Sequence, residues 1–137
     1  MFCALSVMVL VGCEPQYNHD QPDTAANRQG FEKHLGVPAS DAVSNVYYYA
    51  DALGADSTYQ LGFTATPDII KQIVTELNLV ATDPNTDGLI GRDFDWWIAE
   101  EIVRLPMYCR KTEGKEHYRC LWYAEKTKQA YYLEYSL

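Results

Sequence analysis

The sequence predicts an α+β domain, an antiparallel sheet of about five strands in the order β-β-α-(α)-β-β-β with one or two helices packed on one face. Three observations carry this. Two runs rich in aromatic and β-branched residues, 45–50 and 58–64, are separated by turn-forming residues. A strongly amphipathic helical segment, 66–77, follows them. Three further strand-like runs, 107–112, 116–124 and 129–136, are joined by the short polar turns 112–115 and 125–128 and read as a meander.

Each element has a local cause. In the second run Tyr59, Leu61 and Phe63 alternate with Gln60, Gly62 and Thr64, the period of a strand with one buried face, and the turn residues of 52–57 make the first two runs a hairpin. The helix begins with Thr66 as a cap, Pro67 where a missing N–H costs nothing, and Asp68 at the positive end of the dipole. Ile69, Ile70, Ile73, Val74 and Leu77 then form one apolar stripe that must lie on the sheet. Residues 93–104 suggest a second, shorter helix stopped by Pro106.

The turn of the meander sets its register. A two-residue loop at Gly114-Lys115 and a four-residue loop over 113–116 both place Cys109 opposite Cys120. The longer loop puts the pair at a non-hydrogen-bonded site, where Cα atoms approach to about 4.5 Å rather than about 5.5 Å, and either spacing suits a disulfide. Because the closed loop is short, the link is expected to contribute toward the lower end of about 2–4 kcal/mol. A zinc site is the competing use of these cysteines, but His34 and His117 are the only histidines downstream of residue 30.

Residues 1–12 form an uncharged apolar run too short to span a bilayer, and the sequence turns polar after Leu10-Val11-Gly12-Cys13. This stretch resembles the lipobox of bacterial lipoproteins, in which a small residue precedes a cysteine whose sulfur receives a diacylglyceryl group. The resemblance implies a signal peptide over 1–12, lipidation of Cys13 with palmitate-type acyl chains, and an envelope location with membrane contact through the lipid alone. It further implies the periplasmic face of the outer membrane in a Gram-negative cell, since Glu14 is not the aspartate linked to inner-membrane retention. No Lys or Arg precedes the run, which points to a start site further upstream. Residues 13–30 contain no aliphatic residue larger than alanine, so they are expected to be a lipidated flexible tether, with a single domain over 31–137.

The formal charge of −8 lies wholly outside the apolar leader, which argues against a nucleic-acid partner. There is no Gly-x-Ser-x-Gly, no glycine-rich phosphate loop and no His-x-x-x-His. Three other groups of residues carry candidate chemistry. The loop 83–94 matches the first half of an EF-hand, with Asp83, Asn85 and Asp87 as alternate oxygen ligands and Gly88 at the sharp turn, but Phe94 stands where a bidentate Glu belongs. Asp93, one position early, would have to complete a weak calcium site; the alternative is a polar connector, and no other cofactor is expected. Asp93 and Asp95 beside Trp96 and Trp97 suggest a cell-wall sugar-binding protein or hydrolase, against a reading in which the tryptophans plug the core.

Tyrosine is the last signal. The chain has 11, and consecutive strand residues such as 47–49 and 131–132 point to opposite faces, so some are expected to face outward and to bind; Tyr47, Tyr49 and Tyr132 are the candidates. The functional expectation is a membrane-anchored, non-catalytic interaction module that binds a protein or an envelope polymer through this sheet face.

Overall fold

The computed structural model describes residues 17–52, 56–84 and 91–137. The lipobox, Cys13, Asn85 and Asp87 lie outside the described residues. The fold is α+β. Helix α1 (Ala25–Leu35) precedes the hairpin β1 (Val43–Asp51) and β2 (Ser57–Ala65), followed by helix α2 (Pro67–Glu76), the short strand β3 (Val80–Thr82), the single turn α3 (Ala99–Ile102) and the meander β4 (Met107–Lys111), β5 (His117–Ala124) and β6 (Gln129–Ser136). All pairings are antiparallel and the sheet order is β1-β2-β6-β5-β4-β3, which makes six strands where about five were expected.

The hairpin, α2 and the meander stand where the apolar pattern puts them. Thr66 occupies the cap position of α2, but its hydroxyl makes no capping bond; Ile69, Ile70 and Ile73 are buried as the stripe requires. Cys109 pairs with Cys120, and the sulfurs stand 2.13 Å apart with the Cα atoms at 4.2 Å. The backbone bond from Thr112 N–H to the His117 carbonyl (2.9 Å) makes 112/117 a hydrogen-bonded pair, so the cysteines fall at the close, non-hydrogen-bonded kind of site that a four-residue loop dictates. Strand β3 escaped the sequence reading because all three of its residues are exposed on the sheet edge and show no apolar alternation.

Two expectations are corrected. Residues 17–30 are not a tether: the domain is ordered from Tyr17, and α1 starts at Ala25, capped by Thr24 Oγ1 accepting from Asn27 N (3.2 Å) and ended by Gly36 in the left-handed conformation (φ 68°). The cause is polar. The fully buried Asn27 amide donates toward the carbonyls of Asn18 (2.8 Å), Gln21 (2.8 Å) and Val46 (2.9 Å) and accepts from Asn18 N (2.6 Å). Asp23 adds a second clasp, its carboxylate accepting from Asn45 N and Val46 N, both at 3.0 Å, where β1 shifts register between Ser44 and Tyr47. Segment 17–23 thereby lies along the outer edge of β1 and occupies its free hydrogen-bonding groups. Gly30 is required in α1 because a β-carbon there would collide with the Tyr48 ring.

The second correction concerns 93–104, which form only the one turn α3. Phe94 and Trp97 exchange backbone hydrogen bonds (3.2 and 2.9 Å), bending the chain so that its aromatic side chains lie against the sheet. The sheet is therefore covered on both faces. Helices α1 and α2 bury Phe31, Leu35, Leu61, Phe63, Ile73 and Tyr132 on one face. Segment 91–106 covers the other over Trp97, Ile102, Met107, Trp122 and Leu133.

Candidate functional site

On the face covered by 91–106, two strand residues prepare the surface. Gln60, fully buried in β2, grips the arriving segment with both amide atoms: Nε2 donates to the Arg92 carbonyl (2.9 Å) and Oε1 accepts from Arg92 N (2.8 Å). Gly62 leaves room for Trp96, whose ring would lie 2.6 Å from a β-carbon at that position. Replacing Gln60 with leucine keeps the bulk but strands both backbone groups of Arg92, and a loss of about 2–3 kcal/mol in urea unfolding is expected, with faster amide exchange confined to 91–106. Unchanged exchange in that segment would refute the clamp.

Over this foundation the rings stack. Trp96 lies near-parallel to Tyr47 (centroids 5.4 Å, 13°) and to Phe94 (5.0 Å, 5°), and Phe94 stacks in turn on His19 (5.2 Å, 26°). The Trp96 indole N–H donates to the His19 carbonyl at 2.6 Å, which ties the stack to the N-terminal segment. Two open clefts flank it. One, of about 550 Å³, is lined by Tyr47, Asp95, Trp96, Ile98, Glu101 and Tyr131 together with Asn45, Leu105, Ala124, Thr127 and Gln129. The other, of about 530 Å³, shares Tyr47, Asp95 and Trp96 and adds His19, Asp20, Asp93 and Phe94. Burial, then the nearby Glu101 carboxylate, pushes the Tyr131 hydroxyl pKa upward.

The sequence candidates divide on this geometry. Asp93 and Asp95 are both exposed and line the second cleft, and neither makes a hydrogen bond or ion pair among the described residues. Trp96 reaches the clefts; Trp97 is a core residue, 1% exposed. Of the tyrosines, Tyr47 is half-buried and lines both clefts, while Tyr49 and Tyr132 are buried and are corrected as binding residues. Tyr49 is roofed by Tyr17 and Phe94, with Arg92 5.6 Å above its ring, and Tyr132 lies under the helices. Tyr49 faces away from the helices yet is buried because an irregular segment, not a helix, supplies a second layer, while Tyr47 and Tyr131 on that same face stay half-buried at the clefts.

Of the calcium candidates, Asp83 and Asp93 are exposed and Phe94 is held in the ring stack; Asn85 and Asp87 lie outside the described residues. Among the described residues no group of three or more His, Cys, Asp or Glu is arranged to hold a metal, and no helix is long and apolar enough to cross a membrane.

A second polar centre, invisible in the sequence, sits between the sheet and α1. Glu134 of β6 accepts from the Tyr132 hydroxyl (2.7 Å) and contacts His34 Nδ1 (3.4 Å), His117 Nε2 (3.2 Å) and Arg119 Nε (3.6 Å). His34 Nε2 in turn lies 2.7 Å from the Tyr48 hydroxyl. Burial alone would raise the Glu134 pKa; hydrogen bonds from His34 and Tyr132, the His34 charge and the His117 bond outweigh it and hold the group at about 2. Burial, followed by the neighbouring Tyr59 and Glu134 charges, raises the Tyr48 hydroxyl. A carboxylate satisfied from this many sides is a structural tie rather than a reactive group.

No protein family, curated protein or solved structure matches the chain.

Proposed function

We propose that the protein is a membrane-anchored lipoprotein of the bacterial envelope that works as a non-catalytic interaction module, binding a protein or envelope polymer in the clefts beside Trp96. The supporting observation is the pair of open clefts floored by stacked rings and rimmed by exposed carboxylates, with no buried acid or activated nucleophile facing them among the described residues. Such a surface supplies contact area and hydrogen bonds but no chemistry. The lipobox at Leu10-Val11-Gly12-Cys13 supports the anchor and its envelope location.

Two measurements test this. Cys13→Ser is expected to move the protein from the membrane to the soluble fraction; continued partition with membranes would contradict the anchor. Thr127→Trp, which fills the first cleft from an exposed turn position, is expected to abolish recovery of an envelope partner that the unaltered protein retains. Equal recovery by both proteins, or recovery by neither, would refute the cleft as the binding surface.

A further inference from the structure

We propose that the occupant of the clefts is a basic segment of another protein, whose lysine or arginine side chains lie across the ring stack and end at the carboxylates. The inference rests on the interaction-module reading and adds the chemistry of the partner.

Charge points to the occupant first. Asp20, Asp93, Asp95 and Glu101 line the two clefts, and among the described residues no Lys or Arg lines either one. Lys126 and Lys128 flank Thr127 in the turn between β5 and β6 without lining the cleft. The clefts are thus a one-signed surface on a chain whose formal charge is already −8, an arrangement that steers cations inward and disfavours anionic polymers.

Shape also favours a basic polypeptide over a sugar. A glycan platform offers a free flat ring, but the Trp96 ring is already stacked by Tyr47 and Phe94, near-parallel at 5.4 and 5.0 Å between centroids. Beside it the first cleft presents the half-buried Tyr47 and Tyr131 and the aliphatic walls of Ile98 and Leu105. Ile98 is 45% exposed, so its side chain is open to a bound segment. An alkyl stem that needs cover and a charged head that needs a carboxylate match these walls and this rim. The clefts meet at Tyr47, Asp95 and Trp96, so two side chains of one continuous segment can enter side by side.

The test is isothermal titration of the full-length protein with octalysine at low salt, beside a neutral chitotetraose. Asp95→Asn with Glu101→Gln is expected to weaken octalysine binding about tenfold, as when two exposed ion pairs worth roughly threefold each are removed. The control Asp56→Asn with Glu113→Gln loses the same charge at exposed sites outside the clefts, toward the opposite end of the sheet, and is expected to leave affinity unchanged. Equal weakening by both double variants, no weakening, or no binding of octalysine would overturn the proposal, provided thermal melts match. Chitotetraose binding that Thr127→Trp removes would overturn the basic partner yet keep the interaction reading, whereas the pull-down with Thr127→Trp tests that reading separately.

Discussion

Replacing Glu134 with glutamine is expected to lower stability at pH 7 by about 3 kcal/mol in urea unfolding, because it removes one member of a buried charge cluster and leaves the others facing a neutral amide. Glutamine offers one acceptor oxygen where the carboxylate offers two to Tyr132, His34 and His117, and Arg119 Nε, a buried atom with no hydrogen-bond partner, would lose its counter-charge at 3.6 Å. The same group sets the acid limb. Its pKa falls from the ordinary glutamate value of 4.5 to about 2 on folding. A depressed carboxylate contributes stability that is fully present above the unfolded value and is lost as pH drops through the folded one. The contribution of about 3 kcal/mol should therefore disappear between pH 4.5 and about 2, and Glu134→Gln should flatten that part of the stability profile. Parallel acid limbs for the two proteins would exclude Glu134 as the responsible group.

Asn27→Ala is expected to cost about 2–3 kcal/mol, since it leaves Asn18 N and the Gln21 carbonyl without their partner, at about 1–3 kcal/mol for each group not rescued by water, and strips the Asn18 and Val46 carbonyls of one of their two donors. Its signature is local. Amides of Val46 and Tyr48, which bond to Asp23 and Asn18 along the edge of β1, should exchange faster, while the β5–β6 ladder follows only the global change. If the N-terminal segment keeps its protection in the variant, Asn27 is not what holds it.

These two residues also mark the limit of what the sequence could disclose. Elements that bury a regular apolar stripe were legible: Ile69, Ile70 and Ile73 announced α2, and the alternation of Tyr59, Leu61 and Phe63 announced β2. The cysteine pair was legible because turn length fixes antiparallel register. Helix α1 was not, for its buried face includes Asn27 and Gly30, one chosen for hydrogen bonds to a strand edge and the other for the Tyr48 ring. The ion cluster was hidden because His34, His117 and Glu134 are brought together only by the pairing of β5 with β6 and the packing of α1. At the clefts, residue type singled out Asp95, Trp96 and Tyr47. The partners that make a site of them, Gln60 and Gly62, look like ordinary strand residues until segment 91–106 is seen to cross them.

Ordering from Tyr17 onward has one more implication for the proposed anchor. Only Glu14, Pro15 and Gln16 separate Cys13 from Tyr17, a leash of at most about 14 Å when fully stretched. A lipidated form would sit against the headgroups rather than sway above them, with the β1 margin toward the bilayer. In that form His19 and Asp20, which line one cleft, would bring its mouth down to the lipid surface, where a partner confined to the same leaflet would be met by lateral diffusion.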